Sequence, residues 1–295
     1  MSQDKLHLTA EIVHVTMATI AFAIGMSAAA IRLRDFRRPG LLARSLFAVM
    51  VVVPALAVLV VRALPLQDAD AAGLLVVAIC VGPVAAFERA RSASSDATYA
   101  LMLGVTLMLA SIVVVPLSVI VLAALHGRHL YVGAGPVLRT TIAMELVPLA
   151  AGVALGRIAP KLRAAIDGPL SALTNVALVA VVALVLVLLG KHLVSIGPMA
   201  WLACALLAVL AVSAGWLLGG RDGGTGLVLA AFTSLRFPML GIALAGMTAH
   251  RERVILVVLA YVLTSAIVFA LFVAGQRLVS RGSTQTVPEG AHAEK

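Results

Sequence analysis

The chain has 295 residues and a formal net charge of +9, yet it is 62% hydrophobic and only 12% charged, with a mean hydropathy of +1.11. Soluble domains carry about 25% charged residues, so a soluble globular protein is excluded. So is a nucleic-acid binder of the usual basic, polar kind, because the charge is confined to short loops between long apolar runs.

Runs long enough to span a bilayer, about 20 residues each, recur at nine places: roughly 10–31, 41–63, 71–87, 97–125, 137–156, 170–190, 197–219, 225–246 and 254–276. The reading is an all-α polytopic membrane protein occupying 1–281, followed by a polar tail (282–295) expected to be disordered and cytoplasmic. The first run has neither a basic leader nor a small-residue cleavage site and exceeds signal-peptide length, so it is expected to be retained as a span. His14 within it reads as a packing or interface residue.

The loop after the first span holds Arg32, Arg34, Arg37, Arg38 and Arg44, the densest basic cluster of the chain. Basic loops stay on the cytoplasmic side. This predicts an outside N-terminus and, after nine crossings, an inside C-terminus in a bacterial-type cytoplasmic membrane. Arg89, Arg91, Arg157, Lys161, Arg163, Arg221, Arg277 and Arg281 then also lie inside, against Lys5, Arg128, Arg139, Lys191, Arg251 and Arg253 outside.

The third and eighth spans look alike. Gly73-LLVVAICVGPVAAF-Glu88 and Gly226-LVLAAFTSLRFPML-Gly241 each open Gly-Leu, run apolar, then meet a proline, Pro83 or Pro238. Five spans apart, the copies cross in opposite senses, which is the pattern of inverted repeats with interrupted helices around a transporter site. Interruption frees backbone N–H and C=O groups, tolerated in a membrane only beside a cavity or packed protein. The plainer alternative is two ordinary proline kinks.

Arg236 stands beside the second proline, about ten residues or roughly 15 Å from the nearest helix end. Its side chain cannot snorkel that far. A charge at that depth costs about 2.5–3.5 kcal/mol even on lenient scales, so it needs a partner or a ligand. Glu145, in Thr140-TIAMELVPLAA-Gly152, and Glu88, at the end of the third span, are the acids within reach of such a pairing. Glu88 otherwise reads as an interface residue beside Arg89 and Arg91. Cys80 and Cys204 both fall inside spans and form no disulfide framework.

The order of these features resembles the bile acid:sodium symporter family over nearly the whole chain. Gly25-MSAAAIRLRDFRRPGLLARSLFAVMVVVP-Ala55 is similar to that family's GMGLTL…DF…P…MP opening. Cys80-VGPVAAFERARSASSD-Ala97 falls on its CPGGxxSN…GD segment, and Leu235-RFPMLGIALA-Gly246 on its EVGxQNSGLAxALA segment. The resemblance implies two crossing discontinuous helices, 71–87 and 225–246, in a core (spans of about 41–125 and 197–276) that moves against a panel (about 10–31 and 137–190). Alternating access would follow.

The departures from the family are chemical. Its Ser-Asn pair becomes Ala86 and Phe87. Its Glu, Gln and Asn of the second crossover become Phe232, Arg236 and Phe237, its second-span Gln becomes Val49, and its next polar set falls on Gly104, Leu107 and Met108. Sodium, like other hard cations, needs oxygen ligands, and these residues supply none. The expectation is a sodium-independent carrier in which Arg236 replaces the bound cation and pairs with the carboxylate or sulfonate of an amphipathic organic anion. Phe232, Phe237 and Phe87 would line its apolar part or plug it. Gly82, Pro83 and Pro238 would supply the breaks, and Thr233 and Ser234 would bond the ligand or merely their own helix backbone. Glu145 and Glu88 are candidate coupling or ion-pair residues.

The related arsenite permeases use a Cys near position 80, but here the Cys is displaced and the accompanying acid is missing. Two further alternatives stand: a non-transporting sensor or scaffold, and a sodium symporter with a relocated site at Glu145. No cofactor, metal or nucleic acid is expected as a partner, only the small anion and the lipid. No nucleophile–base or phosphate-loop constellation suggests an enzyme.

Overall fold

The computed structural model describes residues 3–30, 39–81, 86, 96–126, 134–220, 224–246, 248 and 250–284. All regular structure among them is helical, and helix falls on each of the nine expected spans. The helices are α1 (Gln3–Ala28), α2 (Pro39–Ala63), α3 (Asp68–Ile79), α4 (Ala97–His126) and α5 (134–158). They continue with α6 (Pro160–Leu193), α7 (Pro198–Gly219), α8 (Gly224–Ser234), α9 (Pro238–Ala245) and α10 (Arg251–Thr284). Four are long and apolar enough to cross a membrane among the described residues: α2, Ala97–Val121 of α4, α7, and Arg251–Leu278 of α10. The last helix runs to Thr284, past Gly282, where a disordered tail was expected to begin.

The polarity of the molecule is that of a lipid-embedded protein. Val113, Leu117, Ile120, Leu206, Val209 and Leu271 face outward, while Ser111, Thr141, Glu145, Thr233, Ser234 and Arg236 are buried. Where the surroundings are hydrocarbon, outward apolar side chains cost nothing and polar groups must be satisfied inside.

Close packing without a hydrophobic driving force relies on small residues that let backbones touch. One layer joins α1 to α5 and α6. In it Gly25 lies on the Leu149 carbonyl, Gly152 on the Phe22 carbonyl and Gly156 on Ala29, with no room for a Cβ. A second group packs α7 on α8 and α10, and α10 on α3. A Cβ on Gly215 would meet the Ala230 Cα at 2.6 Å, and one on Gly73 the Val257 Cβ at 2.6 Å.

One end of this second group is tied by Arg253 at the start of α10. Its guanidinium donates to both carboxylate oxygens of Asp70, at 2.7 and 3.1 Å, and to the carbonyls of Ser195 and Ile196 at 2.9 and 3.2 Å. Elsewhere the hydroxyls of Ser45 and Tyr99 join α2 to α4.

Candidate functional site

Two interruptions meet at the centre. α3 ends at Ile79, and Cys80 turns out of the helix with φ −73° and ψ 77°, an inverse γ conformation in which the Val81 N–H donates back to the Ile79 carbonyl at 2.8 Å. α8 ends at Ser234, and Leu235–Phe237 are unwound before α9. The Phe237 N–H donates to the Cys80 carbonyl at 3.3 Å, so the broken segments bond to each other through backbone groups that helices would have consumed. In the second segment the break immediately precedes Pro238. In the first it begins at Cys80, three residues ahead of Pro83; that proline and Gly82 lie outside the described residues, as do Phe87 and Glu88.

Arg236 sits on this crossing, only 1% exposed. Its Nη2 donates to the Val49 carbonyl of α2 at 3.2 Å, while Nε and Nη1 have no partner. A guanidinium carries five N–H donors, and three of them belong to those two atoms. The alternative of an internal ion pair with Glu145 is not realised: Glu145 does not meet Arg236, and among the described residues no carboxylate lies within ion-pair distance of the guanidinium. Glu88, the other acid offered, lies outside them.

The acceptor on α2 is a product of proline chemistry. Ala48–Val52 form a π turn, and the Val53 N–H bonds the Ala48 carbonyl, five residues back. In that register the Val49 carbonyl would be met by the amide of Pro54, which has no hydrogen. The orphaned oxygen is available, and Arg236 takes it. The same logic operates on α8. Continued as a helix, the Ser234 carbonyl would be met by residue 238, again a proline. The Tyr261 hydroxyl of α10 supplies the missing hydrogen at 2.9 Å, and Tyr261 also stands within electrostatic reach of Arg236.

Thr233 and Ser234 are both fully buried and turn inward on their own helix. The Thr233 hydroxyl bonds the Leu229 and Ala230 carbonyls at 2.9 and 3.1 Å, and that of Ser234 bonds the Ala230 carbonyl at 2.7 Å. In this conformation they follow the backbone alternative, not the ligand-binding one. Phe232 and Phe237 are buried on either side of the break, and Pro238 is half-buried. The conformation is closed around Arg236.

Glu145 occupies a second π turn, Ile142–Leu146 in α5, and is wholly buried. The Ser111 hydroxyl of α4 lies 2.9 Å from its Oε2, and its Oε1 has no partner. Cys80 is buried and within electrostatic reach of both Arg236 and Glu145.

Four participants escaped the sequence reading: the carbonyls of Val49 and Cys80, Tyr261 and Ser111. For Val49 a signal existed, because Val-Val-Pro in an apolar helix leaves an acceptor without its donor. Nothing in an apolar run marks Tyr261 or Ser111 as neighbours of these points.

The model of the sodium bile acid symporter family matches residues 14–196. No curated protein matches the chain.

Proposed function

We propose that this chain, which belongs to the sodium bile acid symporter family, is a secondary carrier of amphipathic organic anions whose fixed Arg236 does the work of the family's bound cation. Its membrane character and its family support a transporter of the bile acid or organic anion type. The independence from sodium and the role of Arg236 are our reading.

One observation carries that reading. A guanidinium buried at the crossing of two broken helices keeps Nε and Nη1 unbonded, though leaving a buried donor unmade costs about 1–3 kcal/mol and more when charged. A carboxylate or sulfonate accepts such donors in the strong, charge-assisted geometry. Phe232 and Phe237, buried beside the break, suit the apolar body of such an anion. In this proposal the spans of about 41–125 and 197–276 form the core that carries the site past the spans of about 10–31 and 137–190. The protein sits in a bacterial cytoplasmic membrane with its N-terminus outside.

The test is thermal stability of the purified protein against carboxylates and sulfonates, cholate and taurocholate among them, in sodium and in potassium buffers. Equal stabilisation in both, lost in Arg236→Gln without loss of fold, supports the proposal. Stabilisation only in sodium, or an unchanged response in the variant, overturns it.

The near-complete burial of Arg236 also suits a second reading, a non-transporting sensor locked in one closed state. Cysteine labelling at position 233 separates the two, since a carrier must expose that position to water in part of its cycle.

A further inference from the structure

The second polar centre has more oxygens than an ionised carboxylate can explain. Ser111 Oγ lies 2.8 Å from the Met108 carbonyl and 2.9 Å from Glu145 Oε2. A hydroxyl has one hydrogen to give. Hydroxyls in helices turn that hydrogen to the carbonyl three or four residues back, as the half-buried Thr106 and the buried Ser234 and Ser265 do here. If Ser111 does the same, the hydrogen between Oγ and Oε2 comes from Glu145. A carboxylic acid thus satisfies both contacts, donating to Oγ while Oγ donates to Met108. A carboxylate satisfies only one, and would also leave Oε1 as a charged, unpartnered oxygen in a dry site. Buried charge without a partner is the costliest arrangement available to a protein.

Among the described residues the surroundings offer no cation to change that balance. On α4, which supplies Ser111, the titratable groups are Tyr99 and His126 at its two ends. α9 carries none. On α5 itself Arg139 and Arg157 face outward. On α6 the charged residues lie near the ends, at Lys161, Arg163 and Asp167 and at Lys191 and His192. On α1 the charged residues and histidines fall within the first fourteen positions, whose side chains are outside the described set. Among the described residues Cys80 is the titratable group within electrostatic reach of the carboxyl.

We infer that Glu145 and Ser111 form a proton-binding site, and that the proton held there accompanies the anion held at Arg236. The site joins α5 to α4, elements on opposite sides of the core–panel boundary proposed above. Protonated, the pair stays buried and the conformation closes. On contact with water the O–H bond breaks heterolytically, the electron pair stays on the carboxylate and the proton passes to water. While an anion occupies Arg236 the resulting charge cannot return to the dry interface, so the loaded carrier closes only with the proton aboard. Once anion and proton have both left, the empty carrier returns deprotonated, the Glu145 carboxylate offsetting the Arg236 guanidinium. One proton moved with one monoanion makes the transfer electroneutral. The coupling part of this inference rests on the anion-carrier reading; the proton site does not.

Two measurements on the full chain in liposomes test it separately. Infrared titration at neutral pH should show the carbonyl band of a protonated carboxylic acid that shifts in D2O. The band should be absent in Glu145→Gln and displaced in Ser111→Ala, where its hydrogen-bond partner is gone. Failure to find it in the wild-type protein overturns the site. Vesicles loaded with a pH-sensitive dye, given taurocholate or benzenesulfonate outside, should acidify within as the anion enters, and an inside-alkaline gradient of one unit should concentrate a monoanion about tenfold. Glu145→Gln should lose both effects while keeping anion-induced thermal stabilisation. Uptake without acidification, or acidification that survives Glu145→Gln, overturns the coupling. Uptake of neither sulfonate counts against the carrier reading instead, and the infrared result then decides the proton site alone.

Discussion

The two polar centres are built on the same backbone device and put it to opposite uses. In α2 a π turn over Ala48–Val52 is followed by Val53 and Pro54; in α5 a π turn over Ile142–Leu146 is followed by Val147 and Pro148. Each time an N–H reaches back five residues, to Ala48 or Ile142, and the next residue has no N–H to give. π turns of this kind cluster at functional positions because they displace groups from the regular ladder. In α2 the displaced group is a carbonyl, and it anchors a cation that keeps its proton under all ordinary conditions. In α5 the side chain carried by the turn is itself titratable, and it meets only a hydroxyl. One centre has a fixed charge with spare donors; the other has a charge that can be switched off.

Breaking that contrast gives the largest expected effect. Arg236→Gln should abolish anion-induced stabilisation altogether. In the absence of anion Arg236→Met should melt at a temperature no lower than the parent, because it removes a buried charge without an ionic partner. Arg236→Lys should recover only part of the binding, since an ammonium lacks the planar fork that serves Val49 and a ligand together. A variant with glutamine that binds as tightly as the parent would remove the central claim.

Sharpening the other half comes next. Glu145→Gln preserves the shape and hydrogen-bonding capacity of a neutral acid, so its stability at neutral pH should match that of the parent. Glu145→Ala should lose about 2–5 kcal/mol by leaving a cavity and an unpaired Ser111, read by denaturation in detergent. Equal damage from both variants would mean that the residue is ionised and not neutral.

The backbone supports should matter less. Tyr261→Phe leaves the Ser234 carbonyl without a donor, for a loss of about 1–3 kcal/mol of stability, with a smaller effect on anion affinity. Pro54→Ala returns an N–H that competes with Arg236 for the Val49 carbonyl. It should weaken anion binding by about tenfold or less, the worth of one hydrogen bond, with little change in melting temperature. An unaltered affinity in Pro54→Ala would separate the π turn of α2 from the site.

Much of the architecture was legible in the chain. The nine apolar runs, the break beside Pro238 and the depth of Arg236 follow from hydropathy and from the missing N–H of proline, both local properties. The position of the first break was not, because the α3 helix ends at Cys80, whose carbonyl is held by the Phe237 N–H from another span. Nor was the pairing of Arg236. Sequence offered a ligand anion or an internal acid as its partner, since charge complementarity is the simplest rule, and the fold gave it a carbonyl that only a π register leaves free.

The sequence by itself thus determined that this is an all-helical membrane protein, which family it belongs to, and that its polar chemistry is concentrated at a few deep positions. Tertiary structure alone decided which of those positions meet. Hydrophobic patterning specifies how much of a helix is apolar but not its rotation or depth against a neighbour, and in hydrocarbon those are set by glycine contacts and orphaned backbone groups. For that reason Arg236 found Val49, Glu145 found Ser111, and the two did not find each other.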